Sequence, residues 1–412
     1  MQPSTSPVPM PGSRAPRLMS LPPLSLYIHI PWCLKKCPYC DFNSHELRDS
    51  NSLPESEYVT ALIRDLETMV PQVWGRKVIS IFFGGGTPSL FSAQSLDTIL
   101  TAVRALLPLE HFAEVTLEAN PGTFEAKKFA DFHAAGINRL SVGIQSFDPK
   151  HLRSLGRVHD DSEARRAVEI ARENFSNVNL DLMYALPHQT LQDARQDIET
   201  AIAYGVSHIS AYHLTVEPHT LFHRHPPPLP DDDLSAQMQI MAEQALGDAG
   251  YVNYETSAFA KLGFESRHNM NYWEFGDYLG IGAGAHSKIS FADRIIRQIR
   301  YKQPREYLAR MAPDVSDADA VMEQHEVGRE DRIFEFMMNA LRLTEGFSTR
   351  TFLERTGIPV MRIQHQLDEA EQRGFITRDR MRIAPTLAGR RFLNDLLQIF
   401  LPDPEKAADR SS

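Results

Sequence analysis

The sequence predicts an α/β protein made of repeated parallel βα units and followed by a small winged-helix-like C-terminal domain. Three observations carry that prediction. From Leu24 onward, six short β-branched or aromatic runs alternate with stretches of helical period. Parallel neighbours need a crossover connection, so strand, helix, strand at this spacing means parallel βα units. After about residue 296 the pattern changes to helical stretches at 331–342, 348–356 and 359–373, followed by a two-strand pattern at 375–385. Finally, 412 residues, at about 150 per domain, suit two or three domains with an ample core.

Taken in order, residues 1–23 hold seven prolines and four serines and no apolar block of a secretory kind, which predicts a disordered tail. Arg14 and Arg17 in an acid-free segment suit a mitochondrial transit peptide, but the prolines oppose the amphipathic helix of such peptides, so a cytoplasmic protein is expected. Strands are expected at 25–30, 78–83, 115–120, 139–145, 179–184 and 208–214, with helices near 56–70, 92–106, 123–135, 162–174 and 190–204. A proline-rich loop at 225–233 ends by capping a helix at 234–248 through Asp233, and an apolar run comes next at 251–259. Such a series fits a partial or full βα barrel or a doubly wound sheet, and periodicity does not choose among them. The expected units are a tail at 1–23, a main domain at 24–295, a connector at 296–319, a winged-helix-like domain at 320–400 and a tail at 401–412.

Composition excludes several classes. Apolar residues make up 42% and charged residues 23%, and no apolar run approaches the roughly 20 residues of a membrane-spanning helix. Lys and Arg number 43 against 53 Asp and Glu, a net charge of −10 that repels phosphate backbones. The would-be recognition helix of the C-terminal domain sets Arg362 and Arg373 against Asp368, Glu369 and Glu371, so no nucleic-acid partner is expected. The three cysteines, Cys33, Cys37 and Cys40, lie within eight residues and make no disulfide framework.

The chemistry sits at the expected strand ends. Cys33-x-x-x-Cys37-x-x-Cys40 comes directly after the first strand, and parallel α/β folds place their sites at the carboxyl ends of strands. Three thiolates can hold three irons of a cubane cluster and leave the fourth open. A zinc site completed by His29 or His45, or three ordinary thiols, are the other readings. Gly84-Gly85-Gly86-Thr87 after the second strand allows close backbone approach to a ligand, though alone it reads equally as a tight turn before a helix capped near Ser92. Glu118 ends the third strand, Gln145 ends the fourth and Asp181 lies within the fifth. Polar groups so placed converge on one mouth and suit a ligand with hydroxyls, an ammonium and a carboxylate.

The run from Tyr27 to Cys40 resembles the radical S-adenosylmethionine (SAM) superfamily. The resemblance implies a partial (β/α) barrel and a 4Fe-4S cluster whose open iron is chelated by SAM; an electron from the cluster then releases a 5′-deoxyadenosyl radical. It further implies SAM contacts from Tyr27, Tyr39, Gly85, Gly86, Thr87, Glu118, Gln145, Arg157 and Asp181. Oxygen-independent coproporphyrinogen III oxidases of this superfamily carry a further cysteine where this chain has Phe42, and a longer segment before the first strand. His268-Asn269-Met270-Asn271-Tyr272-Trp273 resembles instead the HNxxYW motif of the HemW family, haem chaperones similar to those oxidases. This second resemblance implies a chaperone without oxidase activity and without catalytic residues of its own. It would hold the cluster and SAM, carry haem as cargo on His268 with Tyr272 and Trp273 against the porphyrin, and require an electron donor and a haem-accepting client such as a respiratory haem protein. Tyr278 to Ser287, rich in glycine, resembles an edge strand and loop of the family that closes the SAM pocket. The alternatives are the oxidase itself and a structural zinc protein.

Overall fold

A computed structural model describes residues 18–47, 53–123, 126–157 and 160–402. Twelve strands form one sheet. In chain order they are β1 Leu24–Ile30, β2 Val78–Gly85, β3 Leu109–Ala119, β4 Arg139–Gln145, β5 Val178–Tyr184, β6 His208–His213, β7 Val252–Glu255, β8 Ala258–Ala260, β9 Asp277–Ile281, β10 His286–Ser290, β11 Ile295–Arg300 and β12 Val321–Glu326. The spatial order is β12-β11-β10-β9-β1-β2-β3-β4-β5-β6-β8-β7, with β9 and β1 to β6 parallel and antiparallel strands on both flanks. This is the expected partial barrel.

Alternation within each strand separates two faces. Leu24, Leu26, Ile28 and Ile30 of β1 are buried against the helix layer, where Leu62, Leu66, Leu100, Phe129 and Phe132 join them in the main core. The other face, toward the barrel interior, is polar. Ser25 Oγ lies 2.7 Å from Ser80 Oγ across β1 and β2, and Ser141 Oγ donates to Asp181 Oδ2 at 2.9 Å across β4 and β5. A polar interior beneath the strand ends is what a ligand with charged groups requires.

The helices arise from local signals. Ser92 caps Ala93–Leu106 by accepting from Ser95 N–H, and Asp160 with Glu163 forms a capping box on Asp161–Asn174. The helix after the proline-rich loop starts earlier than expected, at Asp232. Asp231, not Asp233, is its cap, because Asp231 Oδ1 accepts Leu234 N–H at 2.8 Å and leaves Asp232 and Asp233 in the first turn.

Three further expectations are corrected. Within 1–23, the end of the segment is anchored: Leu18 and Pro22 are buried, and Leu18 N–H donates to Ala292 O at 2.8 Å, while Met19 to Leu21 are exposed. Residues 1–17 of that tail, and 403–412 of the other, lie outside the described residues. The glycine-rich stretch after Tyr278 is no edge strand, since β9 pairs with β1 on one side and β10 on the other. A Cβ on Gly280 would stand 2.1 Å from His286 O, so its glycines serve close packing inside the sheet. The stretch expected to be a connector, and the residues just after it, hold β11 and β12, which extend the same sheet to Glu326.

Two buried carboxylates, in three ion pairs, pin this extension. Asp65 meets Arg300 at 3.4 Å, and Asp277, fully buried, meets Lys288 at 2.9 Å and Arg76 at 2.8 Å while accepting from Ser290 N–H and Oγ–H.

The C-terminal part carries helices Arg329–Ala340, Thr349–Thr356 and Gln364–Gln372 with a three-stranded sheet of Phe347–Ser348, Arg382–Pro385 and Ile376–Arg378. The expected helix over 359–373 is divided, because Pro359 starts a 3-10 turn at Val360–Ile363 before the α-helix begins. Phe336, Phe347, Phe352, Ile363 and Leu367 form its core, shared with Leu18, Phe275 and Ile295 of the barrel.

Candidate functional site

A cavity of about 460 Å³ opens at the carboxyl ends of β1 to β6, within the range of about 300–1,000 Å³ found for small-molecule sites. The chain reaches it through the loop after β1. Trp32–Cys33 pairs with His45–Glu46, so residues between them form a closed excursion. Lys36 Nζ donates to Phe42 O and Ser44 O, both at 3.1 Å, and Cys40 N–H donates to Cys37 O at 3.2 Å. Cys33, Cys37 and Cys40 all face the cavity.

The glycine loop lies directly against this excursion. Gly86 N–H donates to Ile30 O at 2.7 Å and Thr87 N–H to Trp32 O at 2.8 Å. A Cβ on Gly86 would stand 2.5 Å from Trp32 O, a backbone atom that cannot swing aside, so only glycine fits. Gly85, at φ 115°, turns its N–H toward Glu118 Oε2 at 3.2 Å.

Eight of the nine expected SAM-contacting residues line the cavity together with the thiols: Tyr39, Gly85, Gly86, Thr87, Glu118, Gln145, Arg157 and Asp181. Gln145 ends β4 with φ 68°, a left-handed turn. Arg157 Nη2 donates to Asn120 Oδ1 at 2.7 Å and Gly143 O at 2.6 Å, and its Nη1 lies 3.6 Å from Cys37 Sγ. Tyr27 is the exception. Its hydroxyl bonds His29 Nδ1 at 3.0 Å on the interior face of β1, and it does not line the cavity.

The electrostatics favour a cationic ligand. Burial pushes the Glu118 carboxyl up to about 8, with Asp181 adding to the rise and Gly85 N–H opposing it. Asp181 is likewise raised by burial, against the hydrogen bonds of Ser141 and Asn179. Two desolvated acids side by side bear a cost that a positive group between them would offset. Burial also lifts the Cys33 thiol up to about 11, opposed by the Thr87 hydroxyl.

A single-ion zinc site is not supported by this geometry. Both nitrogens of His29 are committed, Nδ1 to Tyr27 and Nε2 to Asn43 O at 2.9 Å, and His45 Nε2 lies 3.2 Å from Asn43 Oδ1. Among the described residues, the thiols do not belong to any group of three ligand atoms gathered within 4.8 Å.

His268 stands apart from the cavity. It lies on the helix Arg267–Trp273, 2% exposed, its Nδ1 3.0 Å from Ser80 Oγ and its ring stacked on Phe82 at 4.8 Å. Burial, with Arg139 adding, pushes the imidazole down to about 3, so it is neutral, and its Nε2 has no hydrogen-bond partner. The expected porphyrin face is also covered: the Tyr272 ring lies 4.3 Å from that of Tyr278, and the Arg342 guanidinium sits 4.3 Å over Trp273.

Sequence reasoning missed Asn120, which donates to Thr87 Oγ1 at 2.9 Å as it accepts from Arg157, and also Ser141 and Tyr212 on the cavity wall. Asn120 is the residue directly after β3, so the strand-end rule that found Glu118 contained the signal.

The radical SAM superfamily model matches residues 27–201, and the HemN C-terminal domain model matches residues 327–392. Over 388 residues, 94% of this chain and all of the relative, the chain is 47% identical to the heme chaperone HemW of Escherichia coli (strain K12). The chain belongs to the HemW family. Another HemW-family member, the heme chaperone HemW of Bacillus subtilis (strain 168), is 34% identical over 387 residues, 92% of this chain and 99% of that protein. Among solved structures, coproporphyrinogen III oxidase (HemN) from Escherichia coli covers 94% of this chain with 91% of its own at a TM-score of 0.77 and 22% identity, which shows that this chain and that oxidase share a fold. In this HemW-family member, the radical SAM match contains the cavity wall from Cys33 to Met183, and Tyr212 to Glu217 lie beyond it.

Proposed function

We propose that this HemW-family chain is a haem-binding chaperone that carries one 4Fe-4S cluster and SAM and delivers haem to a client haem protein. The observation that carries the reading is the end-to-end 47% identity to a heme chaperone. The cavity supports its cofactor side. Cys33, Cys37 and Cys40 would hold three irons, and the glycine loop, Tyr39, Glu118, Gln145, Arg157 and Asp181 would hold SAM. When bound, the pair supplies one-electron reductive chemistry. Phe42, 59% exposed on the cavity rim, stands where the related oxidases carry a further cysteine, which separates this chain from them. No helix among the described residues is long and apolar enough to cross a membrane, and three free cysteines suit the reducing cytoplasm in which the reading places it.

His268 offers the right chemistry for haem iron, a neutral imidazole with an unpartnered Nε2. Its burial means that ligation requires helix Arg267–Trp273 to lift from the sheet. Haem titrated into anaerobically reconstituted protein is expected to bind without conversion of coproporphyrinogen III, and binding is expected to weaken in His268→Ala. Conversion to protoporphyrinogen would establish the oxidase instead, and an unchanged haem spectrum in the variant would move the ligand elsewhere.

SAM affinity is expected to depend on pH through Glu118. Its carboxyl is raised to about 8 in the free protein, and a bound cation favours the ionised form. Affinity is therefore highest above pH 8 and falls below it by up to about tenfold per unit. Glu118→Gln is expected to weaken binding at pH 8.5 and flatten this part of the profile. Parallel wild-type and variant profiles in equilibrium dialysis would refute the assignment.

A further inference from the structure

A second group of ligating side chains lies away from the cavity, where helix Pro149–Ser154, after β4, meets helix Leu191–Ala203, after β5. His151 is fully buried, its Nδ1 has no hydrogen-bond partner, and its Nε2 has only a long, poorly aligned approach to carboxylate oxygen. Buried polar side chains are nearly always well hydrogen-bonded, so a fully buried imidazole whose Nε2 faces two carboxylates without a well-formed bond to either points to a ligand between them. Nε2 is aimed at two carboxylates, 3.5 Å from Asp193 Oδ2 and 4.0 Å from Asp148 Oδ2, and the three ligand atoms all lie within 4.8 Å of one another. Donors each about 2.1 Å from a common ion stand roughly 3–4 Å apart, so these spacings leave room for one metal ion among them.

Both carboxylates are held in place from behind. Asp148 Oδ1 accepts Lys150 N–H at 2.7 Å, which leaves Oδ2 turned to His151. Asp193 Oδ2 accepts Thr190 N–H at 2.9 Å and keeps a lone pair for the same space. The two acids are 38% and 30% exposed, an entry path from solvent to a site whose third member is buried. Nearby, Asp197 accepts Ser146 Oγ–H and Phe147 N–H, both at 2.7 Å, so the turn after β4 is already tied to the second helix.

We propose that Asp148, His151 and Asp193 bind one divalent first-row transition-metal ion through an imidazole nitrogen and two carboxylate oxygens, with water completing the shell. A nitrogen and oxygen set of this kind suits Mn²⁺, Fe²⁺, Co²⁺ or Zn²⁺. The ion crosslinks two helices and fixes the turn that carries Gln145 to the cavity, a structural role separate from the cysteine site.

The test is titration of the metal-stripped full chain with MnCl₂, read by the EPR signal of free Mn²⁺. Manganese is used because it prefers oxygen and nitrogen over thiolates. Asp148→Asn and Asp193→Asn retain a side-chain oxygen for the helix-capping bonds, so both are expected to melt with the wild-type chain when no metal is added. The wild type is expected to bind one Mn²⁺ per chain and to melt at a higher temperature with it. Loss of even an outer-shell partner weakens metal sites by about 10–100-fold, so each variant is expected to bind at least about tenfold more weakly and to lose the thermal shift. Failure of the wild type to bind stoichiometrically, or equal affinity and equal thermal shift in the variants, would overturn the proposal.

Discussion

Anaerobic reconstitution of Cys37→Ala is expected to give a folded chain with near-background iron and acid-labile sulfide, against about four of each per chain for the unaltered protein. Cys37 is the middle member of the three cysteines, and no other cysteine exists in the chain to replace it. The fold should survive, because the excursion is held by other groups: the Trp32–Cys33 pairing with His45–Glu46, the Lys36 ammonium on two carbonyls, and the Gly86 and Thr87 N–H bonds to the β1 end. Wild-type cluster absorbance in the variant would remove Cys37 from the ligand set.

The second large effect concerns stability. Asp277→Ala is expected to destabilise the protein by about 3–5 kcal/mol, the scale on which an abandoned buried charge acts. Lys288 is 1% exposed, so its ammonium would be left without its carboxylate and without water. Arg76, at the edge of the same cluster and 11% exposed, would lose its ion-pair partner as well. The double change Asp277→Asn with Lys288→Met is expected to cost less than Asp277→Ala alone, because it leaves no ammonium stranded. Denaturation midpoints at constant slope would measure both, and a single-variant loss under about 1 kcal/mol would contradict the buried-pair account.

The parallel half of the fold was legible because its strands are buried on the helix side and announce themselves as short apolar and aromatic runs such as Leu24–Ile30. The antiparallel extension was not, because it hides its sequence signal in charge. Lys288 and Arg300 read as surface residues until Asp277 and Asp65, the latter 235 positions from Arg300, are seen to pair with them. The cavity wall was legible to the extent that one rule, polar groups at parallel strand ends, applied position by position. Tyr27 failed that rule because it lies mid-strand, three residues before the end of β1, where its hydroxyl meets His29. His268 shows a different limit: a motif identifies residue types, but the burial that removes this imidazole from solvent comes not only from Tyr272 within the motif but from Phe82 and Tyr27, on strands that the motif does not relate. His151 carried only part of its signal in its neighbourhood, since Asp148 lies three residues before it but Asp193 comes from the next βα unit.

The core that joins Leu18, Phe275 and Ile295 to Phe336, Phe347 and Phe400 has a consequence for biosynthesis. A ribosome releases a chain from its first residue to its last, and domains ordinarily fold in that order as they emerge. Here residues as far apart in the chain as Leu18 and Phe400 complete one apolar cluster. The segment before β1 can dock on Ala292 and Asp277 of the barrel, but the apolar cluster around Leu18 is not closed until residues near 400 have been translated, and Phe275 lacks the Phe336 ring until then. Over that interval the apolar cluster of the nascent chain is unfinished, and the aromatic rings that close it arrive with residues 336–400.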